Sequence, residues 1–174
     1  MKRIAIDMDE VVADTTAKQL AVFNEHFNEA LTAQDTNGSR LWKLYPERAE
    51  RIIQFLNEPK FFRDLAVIEG SQQVIRELSE RYEIFFTTAA MEHPSSFTCK
   101  YEWLREHFPW ISPMNYVFCG DKSIIQADYL IDDTPRHFER FQGQGILFSA
   151  PHNIYETGYI RVNNWQEVRD YFLK

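Results

Sequence analysis

The stretch that most constrains this chain is the junction where the short run Arg3-Ile4-Ala5-Ile6 enters Asp7-Met8-Asp9. Alternate residues of a strand point to one face, so a regular strand carried through both acids would set Asp7 and Asp9 side by side, ~6–7 Å apart along the chain. Carboxylates that close repel each other. At a separation of ~4 Å the repulsion is about 1 kcal/mol in water and about 4 kcal/mol at an effective dielectric of about 20. A partly buried pair therefore calls for a compensating cation. Mg²⁺ suits the position, because it is a hard ion that combines one or two carboxylates with substrate phosphate oxygens. Taken alone, an Asp-x-Asp pair more often marks a solvated turn or a helix cap, so the rest of the chain has to decide.

Beyond this junction the periodicity changes twice. Ala17, Leu20, Ala21, Phe23, Phe27 and Leu31 recur near helical spacing and predict a helix over residues 15–31, with Asp14 or Thr15 as its cap. Asn37-Gly38-Ser39 closes a polar loop. Pro46 suits the first turn of a helix reaching Leu56, which Asn57-Glu58-Pro59 ends. Residues 15–65 thus read as helical, set between two stretches of strand character.

From Val67 onward helices and strands alternate. A helix is predicted over 72–81 with Ser71 as cap, a buried strand over 82–88, a helix from Phe97 to Phe108 ending before Pro109, and strands at 116–119, 129–131 and 146–148. A helical stretch is read near 135–142, and a last helix from Trp165 to Leu173 is capped by Asn164. This alternation implies βαβ units, hence an α/β fold with a Rossmann-like parallel sheet flanked by helices. Residues 1–14 and 66–174 form the core, and residues 15–65 the insertion after the first strand.

Charge and composition narrow the partners. A formal net charge of −7 argues against nucleic acid polymers, whose phosphates demand a basic surface, yet leaves room for one small phosphate at a site with its own cations. No apolar run approaches the ~20 residues of a membrane span, and the run after Met1-Lys2-Arg3 is too short for a signal peptide, so a soluble cytoplasmic protein is expected. Cys99 and Cys119 lie in apolar segments and are read as buried thiols. The large Tyr and Phe content is compatible with a homodimer.

Four polar signals fall at the ends of apolar runs: Asp7 with Asp9, Thr87 with Thr88, Lys122 soon after Cys119, and Asp132 with Asp133. In an open parallel α/β sheet, ligands bind outside the carboxyl ends of the strands, which would gather all four into one crevice. Their chemistry fits phosphoryl transfer. One carboxylate can attack phosphorus, a second can exchange protons with the leaving oxygen and with water, and a hydroxyl, an ammonium and Mg²⁺ can hold the charged oxygens. The histidines at 26, 93, 107, 137 and 152 show no metal-ligand spacing and are read as structural or surface groups.

In that order, Asp7-Met8-Asp9-Glu10-Val11, Thr87, Lys122 and Asp132-Asp133 resemble the four motifs of the haloacid dehalogenase-like phosphatases. Together with Phe61-Phe62…Leu65, Phe86-Thr87-Thr88, Lys100-Tyr101-Glu102-Trp103 and Ile146-Leu147-Phe148…His152-Asn153, they are similar to the 5′(3′)-deoxyribonucleotidases. The resemblance implies Asp7 as nucleophile and metal ligand, and Asp9 as general acid/base whose backbone carbonyl also reaches the metal. It implies Thr87 and Lys122 on the phosphoryl oxygens, and Asp133 as the remaining ligand with Asp132 in support. It also implies that residues 15–65 are a small helical cap, and that the substrate is a deoxyribonucleoside monophosphate, pyrimidines favoured. Thr88, Trp42 and Phe62 are candidate substrate contacts, the two aromatics either stacking on the base or packing within the cap. The chain departs from the mammalian members at Thr15, where they carry an aromatic residue, and at Ala89-Ala90-Met91 and Gly120, where they carry basic residues. A phosphatase of another phosphometabolite, such as a sugar phosphate, and a non-catalytic binding module on the same fold are the rival readings.

Overall fold

The computed structural model describes residues 1–58 and 60–174; the expected helix stop at Pro59 lies outside the described residues. Its centre is a parallel sheet built on β1 (Arg3–Asp7). On one side β1 pairs with β4 (Glu83–Thr88), which pairs with β5 (Tyr116–Phe118); on the other it pairs with β6 (Tyr129–Asp132), followed by β7 (Gln144–Phe148) and β8 (Arg161–Val162). The order β5-β4-β1-β6-β7-β8 makes β1 an interior strand. Alternation explains its all-apolar sequence: Ile4 and Ile6 join the main core with Ile84, Phe86 and Ile131, while Ala5 packs separately with Leu130 and Phe141. A strand covered on both faces has no polar face.

A two-residue antiparallel pair, β2 (Ala13–Asp14) with β3 (Ala66–Val67), closes the base of the insertion. Strands this short carry no pattern of their own. Between them lie α1 (Thr15–Phe27), α2 (Leu41–Leu44) and α3 (Ala49–Leu56). Leu20, Phe23, Leu41 and Ile52 form a small core within this insertion, while Phe55 and Leu56 enter the main one. Asp14 caps α1 by accepting from Ala17 N–H at 2.8 Å. The helix stops short of the expected residue 31, because Asn28 turns left-handed at φ 52° and Asn24 bonds across the turn to Leu31.

The core helices are α4 (Ser71–Leu78), α5 (Phe97–His107) and α6 (Trp165–Leu173). Ser71 is the first residue of α4 rather than its cap; Gly70, at φ 80°, takes the cap position, which a left-handed backbone reserves for glycine. The stretch expected as a helix over 135–142 makes a 3₁₀ turn at Pro135–Phe138 and does not continue. Asn164 caps α6 as expected, accepting from Glu167 N–H at 2.9 Å. Cys119 is buried and Cys99 half-buried, and no disulfide joins them. No helix among the described residues is long and apolar enough to cross a membrane.

Candidate active site

Pairing in register places the acids. Asp7, last in β1, lies opposite Thr87 in β4, and β6 ends beside it in Asp132, followed by Asp133. The strand does not run on through Asp9. After Asp7 the chain turns, with Met8 C=O accepting from Val12 N–H at 3.0 Å and Ala13 N–H at 2.9 Å. Glu10 takes the left-handed conformation at φ 62°. The buried Trp165 holds this loop from the core side by donating its indole N–H to Val11 C=O at 2.8 Å. The turn separates two acids that a straight strand would have aligned, and gives them different partners.

Asp7 belongs to a buried carboxylate group with Asp132 and Asp133, each offering an oxygen within 4.8 Å of the others. Lys122, in the turn after β5 and 1% exposed, lies between Asp7 and Asp132, 2.5 Å from the Asp132 carboxylate. Burial pushes the Asp7 carboxyl well above the ordinary range; Lys122 opposes the shift, and Asp132, Asp133 and Asp9 add to it. One ammonium within the group, with Arg40 reaching Asp133 from the cleft, does not balance three buried acids. Hard oxygen donors this close, with surplus negative charge, fit a divalent cation such as Mg²⁺.

Asp9 stands apart from that group. Its carboxylate pairs with Lys100 of α5 at 2.5 Å and accepts from the Thr15 hydroxyl at 2.9 Å. Burial alone would raise its pKa, but the charge and hydrogen bond of Lys100, with the Thr15 bond, hold it below the usual carboxylate range. Lys100 is buried, with Nζ 2.9 Å from the Thr88 hydroxyl and 4.4 Å from the centre of the Phe62 ring. The Thr88 hydroxyl is therefore turned to Lys100. Thr87 is fully buried, and its hydroxyl makes one long bond of 3.5 Å to Ile6 C=O.

Asp132 and Asp133 divide the remaining partners. Asp132 is wholly buried and accepts from Thr134 N–H at 2.9 Å, with His137 Nδ1 at 2.9 Å. Asp133 reaches the cleft, where His152 Nε2 lies 3.1 Å and Arg40 Nη2 3.4 Å from its carboxylate. Burial would raise Asp133, but the His152 hydrogen bond and the charges of Arg40, His152 and Lys122 bring it down to about 2. The cleft has a volume of about 660 Å³ and is lined by Asp7, Asp9, Lys100 and Asp133 from the core and by Arg40, Trp42 and Phe62 from the insertion. Phe62 is also a buried member of the main core, whereas Trp42 is half-buried at the rim.

Lys100, Arg40, His137 and His152 were not read as site residues from the sequence. Lys100 and His152 stand in motifs that carry the resemblance, but those motifs give them no role of their own. His137 lies only five residues from Asp132, in a stretch whose pattern reads as a helix, and Arg40 carries no signal, because its partners Asp133 and His152 lie 93 and 112 residues away in the chain.

Comparison with known proteins follows the same line. A family model described as 5′ nucleotidase, deoxy (pyrimidine), cytosolic type C protein matches residues 1–174. The chain is 44% identical over 169 residues to a 5′(3′)-deoxyribonucleotidase of Bacillus subtilis, with 96% of each chain covered. It is 47% identical over 171 residues to a Staphylococcus epidermidis protein named "Putative 5′(3′)-deoxyribonucleotidase", covering 98% of this chain and 96% of the relative. Among solved structures, a conserved haloacid dehalogenase-like protein of unknown function from Agrobacterium tumefaciens aligns with a TM-score of 0.64 at 11% identity, covering 98% of this chain and 97% of that one, which is a likeness of fold. A match along the whole length and identities of this size place the chain in the 5′ nucleotidase, deoxy (pyrimidine), cytosolic type C family.

Proposed function

We propose that this protein is a phosphoric monoester hydrolase that removes the phosphate of deoxyribonucleoside monophosphates, with Mg²⁺ and through an aspartyl-phosphate on Asp7. The observation that carries the reading is the gathering of Asp7, Asp132 and Asp133 within 4.8 Å, beside a cleft that Asp9 and Lys100 also line. Asp7 and Asp133 would hold the ion, with Asp132 in support and the Asp9 backbone carbonyl as a further donor. Mg²⁺, when bound, supplies neutralisation of the charge on the phosphoryl oxygens.

The chain's own groups perform the remaining steps. An Asp7 carboxylate oxygen attacks phosphorus, and the bond from phosphorus to the nucleoside oxygen breaks as Asp9 gives that oxygen a proton. A phosphate dianion beside Asp9 raises its proton affinity, offsetting the pull of Lys100. Water then gives a proton to Asp9 and attacks the same phosphorus, releasing inorganic phosphate and restoring the Asp7 carboxylate. Lys100 orients the Asp9 carboxyl through their 2.5 Å contact. Thr87 and Lys122 are the phosphoryl-side donors beside Asp7. Residues 15–65 act as a cap over the core of 1–14 and 66–174, and their own apolar cluster supports treating them as a unit. Trp42 and Phe62 would meet the nucleoside from the cap side of the cleft.

The test is phosphate release from deoxynucleoside and ribonucleoside monophosphates, their 3′ isomers and several sugar phosphates, with Mg²⁺ or EDTA, using Asp7→Asn as control. Metal-dependent preference for deoxynucleotides, lost in Asp7→Asn, is expected. Preference for a sugar phosphate would discard the substrate and keep the chemistry. Full activity in Asp7→Asn would discard the aspartyl-phosphate.

A further inference from the structure

The buried cations at the cleft each have a carboxylate partner. Lys122 is held by Asp7 and Asp132, and Lys100 by Asp9 and Thr88. Arg136, at the rim, pairs with Glu92. Arg40 differs: Lys122 is sealed between two acids of the metal-fitting group and keeps one if an ion takes the other, whereas Arg40, about a third exposed at the cleft, has Asp133 as its single carboxylate partner among the described residues. Its Nη2 lies 3.4 Å from Asp133 Oδ2 and 3.2 Å from His152 Nε2, and donates to the Thr134 hydroxyl at 3.0 Å. A divalent ion on Asp133 and a guanidinium on the same carboxylate repel each other. Binding of the ion therefore costs Arg40 its charged partner while leaving it at the cleft, where the substrate phosphate would arrive.

The backbone around Arg40 is anchored, so this exchange needs only a side-chain movement. Arg40 immediately precedes α2, whose Leu41 is buried with Leu20, Phe23 and Ile52. Two residues earlier, Gly38 N–H donates to Pro151 C=O at 2.9 Å, tying the loop to the turn that carries His152. Gly38 is at φ 78°, a left-handed backbone that favours glycine. The guanidinium is 5.6 Å from the centre of the Trp42 ring, which gives it a second resting surface inside the cleft.

We propose that Arg40 is a phosphate-binding residue released by metal: it rests on Asp133 in the ion-free protein, is displaced when a divalent cation takes Asp133, and then receives the substrate's phosphoryl oxygens in its planar fork. The inference rests on the phosphatase reading above. It makes metal and phosphate binding cooperative through one side chain. Mg²⁺ has to displace Arg40 to bind, and phosphate binds well only after that displacement.

Titration calorimetry on the full chain without nucleotide tests this, using Mg²⁺ alone and then inorganic phosphate at saturating Mg²⁺. Arg40→Gln is expected to bind Mg²⁺ roughly tenfold more tightly than wild type, because the competing charge is gone, and inorganic phosphate roughly tenfold more weakly. Arg40→Lys, which keeps the charge and loses the fork, should fall between the two in both titrations and carries the test should the glutamine variant fold poorly. An Arg40→Gln protein with unchanged Mg²⁺ affinity, or with unchanged phosphate affinity, overturns the exchange while leaving the phosphatase reading in place. Wild-type protein that takes up no Mg²⁺ overturns both.

Discussion

Replacing Lys122 by methionine removes a charge while keeping a chain of similar length, in a side chain that is fully buried between Asp7 and Asp132. Removing one partner of a buried ion pair costs about 3–5 kcal/mol, because the other charge is left uncompensated. For a chain of this size each kcal/mol is worth about 2–4 °C, so Lys122→Met should melt about 6–20 °C below wild type at neutral pH in EDTA. The pH dependence gives the mechanism away. Burial already holds the folded pKa of the Asp7 carboxyl above its unfolded value, so stranding it lowers stability above that folded pKa and ceases to do so as falling pH protonates it. The deficit should therefore shrink between neutral and acidic pH. Millimolar Mg²⁺ should also restore part of it, because the three carboxylates remain. Calorimetric melting of both proteins at two pH values, with EDTA and with Mg²⁺, checks all of this. A variant that melts with wild type in EDTA at neutral pH, or whose deficit ignores pH, would refute the claim that Lys122 balances buried acids.

Other consequences can be measured in the same way. Burial, with Asp133 and Asp14 contributing and the Thr16 hydrogen bonds opposing, pushes Glu10 from 4.5 up to about 8. The folded state thus holds a proton that the unfolded state has lost between those values, and stability should fall as pH rises through that window, by on the order of 5 kcal/mol. Glu10→Gln should flatten that slope in urea unfolding followed from pH 5 to 8. Trp165→Phe leaves the buried Val11 carbonyl without its 2.8 Å donor and should cost about 1–3 kcal/mol in denaturant unfolding. Its turnover should also drop, since that bond holds the loop between Asp9 and the insertion; unchanged turnover would remove the loop from the account. Asn164→Ala deletes the cap of α6 and should cost about 1 kcal/mol without altering turnover.

Local interactions are the ones this chain announces in its sequence. Ile4, Ala5 and Ile6 mark an interior strand by composition alone, and Asn164 announces a helix start because its bond spans three residues. The alternation of such segments was enough for a parallel α/β sheet, and the sheet was enough to bring Asp7, Thr87, Asp132 and Asp133 to one end. The family resemblance turned that grouping into a chemistry, which the matches along the whole chain support at the level of the family.

Three-dimensional packing decided the rest. Asp7 and Asp9 look equivalent in sequence, but the turn after Met8 sends one to Lys122 and the other to Lys100, partners separated from them by 115 and 91 residues. No periodicity reports such pairings. Asp132 and Asp133 are neighbours in sequence, yet one is sealed behind Lys122 and the other opens to the cleft beside Arg40 and His152. Backbone segments follow rules of nearest neighbours, so they can be read from the chain. The charge state and orientation of a buried acid depend on every group that desolvates or faces it, and those groups meet only when the fold is complete.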